Sequence, residues 1–288
     1  MAACCSYSET ITKLMSTNLF EIAESCLYTP SVEAKLEATK RAALAFRGEG
    51  FSLDDRLPPK PASEVRFPER PELVDPRHLP RRKLTTRAGK IAFLHAVAHI
   101  ELTAIQLAWD MVYRFRGMPR AFYNDWLEVA IEEAYHFSLV RGRLKDFDAD
   151  YGQFPAHRGL WELAEETAHD VKARLALVPR VMEARGLDVT PAMIDKLDAL
   201  GDDATANILR IILRDEVGHV ARGTRWFQYV CNEQGIDPVT EYFDLVERYL
   251  RGAVRGPFNI ELRRAAGFSD LELQRLKRMA SESPARPD

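Results

Sequence analysis

Glu132-Glu133-Ala134-Tyr135-His136 and Asp215-Glu216-Val217-Gly218-His219 repeat one pattern: an acid pair, two further residues, then a histidine. On an α-helix, residues three apart share a face, so Glu133 with His136 and Glu216 with His219 each aim one carboxylate and one imidazole in the same direction. Two such helices facing one another form a set of metal ligands. In carboxylate-bridged dinuclear sites held between helices, two Glu-x-x-His helices are completed by one Glu from each of two others. The rest of the chain is therefore read for two more buried glutamates.

The surrounding pattern is helical. Residues from about Thr10 to Phe46 read as one or two amphipathic helices, broken at Tyr28-Thr29-Pro30 and restarting near Ser31. From Gly48 to Arg82 the chain is punctuated by Pro58, Pro59, Pro61, Pro68, Pro71, Pro76 and Pro80, which excludes a regular helix. The interspersed Leu57, Phe67 and Leu73 favour an arm that packs over one that is disordered. Four long helical patterns follow: Thr86–Arg116, stopped by Gly117-Met118-Pro119; Arg120–Phe147; Leu160–Ala184, ending near Gly186 with a bend at Pro179; and Asp203–Asn232. The short Gly117 connection makes the first two antiparallel neighbours, and the longer link after Phe147 fits a crossover. Thr190-Pro191 reads as an N-cap and first-turn proline opening a short helix to Leu200. Helices at Pro238–Arg251 and Asp270–Met279 and a loose tail, Ser281-Glu282-Ser283-Pro284, close the chain. The expected fold is all-α, a four-helix bundle in residues 83–268, with N-terminal helices and a Pro-rich arm in 1–82 and a C-terminal helix and tail in 269–288.

The third carboxylate lies on the first long helix. Leu94, Ala98, Glu101, Ile105 and Ala108 form a stripe that is apolar except for Glu101. Burying an unpaired carboxylate costs several kcal/mol, so an acid in that position is paired, protonated or bound to a cation. Glu101 and Glu133 also stand at matching distances from the Gly117 turn, which sets them level in an antiparallel pair. The third pattern offers two candidates for the fourth carboxylate. Glu183 follows the apolar run Leu175-Ala176-Leu177-Val178-Pro179, whereas Glu166, which makes a further Glu-x-x-His with His169, sits in the charged segment Glu162-Leu163-Ala164-Glu165-Glu166. Burial favours Glu183, and its nearness to the expected helix end counts against it.

With these residues in place the chain resembles the ferritin-like diiron superfamily. His95-Ala96-Val97-Ala98-His99-Ile100-Glu101, Glu183-Ala184-Arg185-Gly186-Leu187-Asp188, Gly218-His219-Val220-Ala221 with Gly223 and Trp226-Phe227, and Pro257-Phe258-Asn259 are similar to a ferritin-like family called DUF455. The resemblance spans roughly Leu84 to Phe268. A more distant likeness joins it to the diiron tRNA hydroxylases, which also carry Glu-Ala-Arg on the third core helix. The resemblance implies a ferritin-like bundle with Glu101, Glu133, His136, Glu183, Glu216 and His219 as metal ligands, and it supplies no substrate.

Four carboxylates and two imidazoles form a hard, oxygen-rich set that suits two iron ions, and manganese fits the same ligands. Their four negative charges balance two divalent cations. Glu101 and His136 are expected on one metal, Glu183 and His219 on the other, with Glu133 and Glu216 bridging and positions left for dioxygen. Asp215 and Glu132, each preceding a ligand, are the candidates for accepting the free N–H of the histidines, though Glu132 reads equally as surface charge. His95 and His99 point away from the Glu101 stripe and read first as core histidines. Tyr135 reads as a packed tyrosine ahead of a redox-active phenol. Gly218 and Gly223 either open a passage or allow close helix packing. Arg77, Arg81, Arg82, Lys83, Arg87 and Lys90 read as a solvated helix start ahead of a contact for a phosphate-rich substrate.

Forty Lys and Arg against 43 Asp and Glu leave a net charge of −3, no signature of a nucleic-acid or membrane partner. An RNA-borne substrate stays open. Cys4, Cys5, Cys26 and Cys231 form no Cys-x-x-Cys clamp, and no apolar run approaches the length of a membrane span, so the expected home is the reducing cytoplasm. Three functional classes follow. The first is an oxygen-activating oxidoreductase, a hydroxylase or oxidase, acting on an unknown small or RNA-borne substrate. It would need an external electron donor such as a reductase, because the chain has no flavin or nicotinamide fingerprint. The second is a ferroxidase, metal-storage or peroxide-removing protein. The third is a scaffold stabilised by its metals.

Overall fold

The protein's computed structural model describes residues 18–47, 50–55, 57–79, 83–251 and 254–282. Thr10 to Ser16, Cys4, Cys5, Pro80, Arg81, Arg82, Ser283 and Pro284 lie outside these residues. Among the described residues the secondary structure is helical, with only isolated bridge pairs, Asn18 with Ser52 and Leu73 with Ala156, in place of strands. The chain divides into two compact units, one of residues up to Pro68 plus Ala108–Ile131, the other of Glu69–Leu107 plus Glu132 onward.

In the first unit, α1 (Leu19–Leu27) is capped by Asn18, whose side chain accepts from the N–H of Phe20 and Glu21. It breaks at Tyr28-Thr29-Pro30, and α2 (Val32–Arg47) follows. The Pro-rich segment packs here: Phe51, Ala62 and Val65 are buried, and the Leu19 N–H donates to the Ser52 carbonyl at 3.0 Å. Leu57 contributes nothing to that packing, being 74% exposed. Gly117, at φ +74°, turns the chain where most other residues would be strained.

The second unit holds the candidate site. Two long helices enter it, α3 (Arg87–Arg114) by its first three-quarters and α4 (Arg120–Lys145) by its second half. By length and composition α3 could cross a membrane, but 67% of its most apolar stretch is buried within the protein. It is a core helix, compatible with a soluble protein. The long helix α8 (Asp203–Glu233) starts at Asp202, whose carboxylate accepts from the Thr205 N–H and pairs with Lys90 of α3 at 2.8 Å and Arg143 of α4 at 2.9 Å. Three helix ends are thereby pinned to one buried acid.

The third long pattern departs from its expected form. It consists of α5 (Gly159–Glu166), α6 (Val171–Leu177), a π-helical turn over Val178–Glu183, and α7 (Ala184–Ala199). The chain does not stop near Gly186, because that glycine is absent from the residues with positive φ and caps nothing. Nor does Thr190 open a helix; Pro191 sits inside α7 at the cost of one ladder bond. Pro179 cannot donate to the ladder either, and the wide turn absorbs that loss. Glu183 thus ends the π turn and leads directly into α7. Beyond α8 come α9 (Pro238–Leu250), α10 (Ile260–Ala265) and α11 (Asp270–Glu282), so Ser281 and Glu282 belong to a helix rather than a tail.

Candidate metal centre

The two Glu-x-x-His pairs meet between α4 and α8. Glu133, His136 and His219 are fully buried, and the Glu216 side chain is 13% exposed. Glu133 lies between the histidines, with Oε2 3.4 Å from His136 Nδ1 and Oε1 3.0 Å from His219 Nδ1. One carboxylate therefore addresses both imidazoles, one oxygen to each. Glu101 of α3 joins the His136 side, its Oε2 3.3 Å from Nδ1. Glu216 joins the His219 side at 3.7 Å. Two ligand groups result, Glu101–Glu133–His136 and Glu133–Glu216–His219, sharing Glu133. Glu216 falls in only one of these groups.

Glu183 stands close enough to Glu216, Glu133 and His219 to feel their charges, and its Oε2 is sealed from solvent. Glu166 and His169, by contrast, are exposed, and His169 meets the Tyr249 hydroxyl at 3.4 Å. The apolar and charged settings of the two glutamates separate them in space.

The outer nitrogens of the histidines are bound crosswise. His136 Nε2 lies 3.1 Å from Asp215 Oδ2, and His219 Nε2 lies 2.8 Å from Glu132 Oε2. An ionised carboxylate only accepts, so each Nε2 carries a proton and donates, which turns each Nδ1 toward the inner carboxylates. Each acid preceding one Glu-x-x-His thus orients the histidine of the other. Both acids are themselves held by arginine, Asp215 by Arg214 at 2.8 Å and Glu132 by Arg222 at 3.5 Å.

The inner atoms fit cations. Glu101 Oε2, Glu133 Oε1, Glu183 Oε2, Glu216 Oε2 and His219 Nδ1 are shielded from solvent without a hydrogen-bond partner. Four of these atoms belong to the two ligand groups, and Glu183, which is in neither group, adds the fifth nearby; orphaned buried polar atoms are the kind of exception that a bound ion explains. With protons alone, burial and the neighbouring Glu133 push Glu101 and Glu216 above the usual carboxylate range, and burial with Glu216 and Glu133 does the same to Glu183. Burial acts the same way on Glu133, but His219 and His136 outweigh it and hold that carboxylate low. Burial opposes the charge on His136, yet Glu101 and Glu133 raise it to about 11. The cluster collects positive charge from whatever source is present.

Other candidates have structural roles. His95 Nε2 accepts from the Gly152 N–H at 2.9 Å, while His99 meets the Tyr151 hydroxyl at 2.8 Å and the His157 carbonyl at 3.0 Å. Both histidines hold the α4–α5 connection and join neither ligand group. Tyr135 is 52% exposed, so it is no packed tyrosine. A Cβ on Gly223 would approach the Pro179 ring to 2.5 Å, which makes this glycine a packing requirement; one on Gly218 would meet only the Arg222 guanidinium at 3.2 Å. In the basic run, Arg77 pairs with Asp75, Arg87 with Asp148 and Lys90 with Asp202. Cys26 and Cys231 are buried thiols, which burial raises to about 12 and about 11.

Sequence reading overlooked two buried ion pairs that flank Glu183. Arg180 meets Glu272 at 2.5 Å, and Arg263 meets Asp188 at 2.7 Å. Only the isolated charge of Arg180, following five apolar residues, hinted at them.

A family model described as "Protein of unknown function (DUF455)" matches residues 28–274. An "Uncharacterized protein" of Haemophilus influenzae is 47% identical over 214 residues, covering 72% of this chain and 74% of that protein. No solved structure matches. With most of its length matched by that model and so close a relative, the chain belongs to the DUF455 family.

Proposed function

We propose that this protein is a dinuclear iron oxidoreductase of ferritin-like fold, an oxygen-activating hydroxylase or oxidase that works in the cytoplasm. The observation that carries the reading is Glu133, whose two carboxylate oxygens face His136 and His219 separately. That placement suits a carboxylate shared by two cations. Glu101 and His136 would hold one ion, Glu183, Glu216 and His219 the other, and manganese suits the same donors. Bound as a reduced pair, the metals would supply electrons to dioxygen.

The chain's own residues prepare the site. Asp215 and Glu132 orient the imidazoles, and Glu101 is kept from water, being 3% exposed. A reductase would return electrons between cycles, and the substrate is an organic molecule. Anaerobically reduced protein given oxygen tests this directly. Oxidation should stop after two irons per chain unless a donor and substrate are added. Aerobic loading far past two irons, with a growing ferric core, would instead assign the protein to storage.

A further inference from the structure

Glu183 is bracketed by contacts from the C-terminal helices. Three residues before it, Arg180 is fully buried among the rings of Phe227, Tyr242 and Phe268, and its Nη2 donates to Glu272 Oε1 of α11. Five residues after it, Asp188 receives a two-pronged bond from Arg263 of α10, Nε to Oδ1 at 2.9 Å and Nη2 to Oδ2 at 2.7 Å. Arg263 Nη2 also reaches the carbonyl of Ala184, the residue next to Glu183, at 3.4 Å. Asp188 further accepts from the Asn259 N–H at 2.9 Å, and Arg185 donates to the Pro257 carbonyl at 3.1 Å. The segments Glu183–Asp188 and Pro257–Asn259 are thus two halves of one joint.

We propose that α10 and α11 are a positioning element of the metal centre, holding through Arg263–Asp188 and Glu272–Arg180 the backbone on both sides of Glu183. This rests on the dinuclear reading. A π turn supplies a wide, poorly restrained backbone at the point where a ligand must be placed to a fraction of an ångström. Gly223 against Pro179 restrains one face of that turn. The two arginine pairs hold the backbone before and after Glu183. Buried pairs add little net stability over apolar groups of the same volume, so stability alone gives these charges a weak reason to be there.

The test is a Mn(II) titration of the full chain, followed by equilibrium dialysis and electron paramagnetic resonance. One variant combines Arg180→Met with Glu272→Gln, removing both charges while leaving a side-chain oxygen to accept from the Ser269 N–H that Glu272 caps. The other is Asp188→Asn, which keeps shape and the acceptor for Asn259, and it carries the test alone if the first loses its fold. Wild type should bind two ions with a coupled spectrum. Each variant should keep its helical circular dichroism and one ion at wild-type affinity, bind the second about 10–100-fold more weakly, and show a mononuclear spectrum. Two ions at wild-type affinity in the variants, or loss of both from a folded variant, would overturn the proposal. A wild type that fails to bind two ions would instead refute the dinuclear reading.

Discussion

His136 and Asp215, 79 residues apart in sequence, meet at 3.1 Å across α4 and α8, and His219 and Glu132 repeat the arrangement in the opposite sense at 2.8 Å. The reciprocity follows from two copies of one local pattern placed on facing helices. An acid one residue before a ligand lies about 100° around its helix, which carries it past its own histidine toward the neighbour's.

Asp215→Asn and Glu132→Gln should each lower metal affinity about 10–100-fold, because an amide can turn its N–H₂ toward the imidazole and disturb its tautomer. The Asp215 variant should weaken the ion on the His136 side and the Glu132 variant the one on the His219 side. Dialysis against Mn(II) measures both. Unchanged affinities would reduce the two acids to surface charge.

Glu183→Ala should bind one metal fewer per chain, and Glu166→Ala should bind as wild type. Elemental analysis of the purified variants decides. The reverse pattern would move the centre toward α5.

Much of this site was legible because its residues break a local rule. Glu101 is an acid on an apolar stripe, and the paired Glu-x-x-His segments put like chemistry at helical spacing. The turn between the first two long helices followed from Gly117 and Pro119. The course of the chain around Glu183 was not legible. Gly186 carries a stop signal and Thr190-Pro191 a start signal, and tertiary packing of α7 along α8 overrode both. The π turn, the partners of Arg180 and the pairing of Asp188 with Arg263 depend on contacts between residues far apart in sequence, which no local pattern encodes.

Gly223→Ala should destabilise the protein by about 1–3 kcal/mol, since its methyl group would collide with the Pro179 ring and displace the π turn. Gly218→Ala should be neutral or stabilising by up to about 1 kcal/mol, as only a flexible arginine must move. Urea denaturation of both compares them, and equal effects would remove the packing argument.

Acid should weaken the fold through His95. Burial, with His99 nearby, lowers this imidazole from 6.5 to about 4. Between those values the unfolded chain binds the proton and the native chain does not, so stability is full above about pH 6.5 and falls as the pH drops toward 4. The loss is on the order of 3 kcal/mol. His95→Gln, which keeps an acceptor for the Gly152 N–H without titrating, should flatten that part of the pH profile. A slope identical to wild type would show that His95 does not control it.

The central claim is that Glu133 joins two metal ions. Its most direct measurement is the number of ions and their magnetic coupling in anaerobically reconstituted wild type and Glu133→Ala, by elemental analysis with electron paramagnetic resonance. The account predicts about two coupled ions per chain in wild type, and no coupled pair in Glu133→Ala. A single ion in wild type, or two coupled ions in Glu133→Ala, would contradict it.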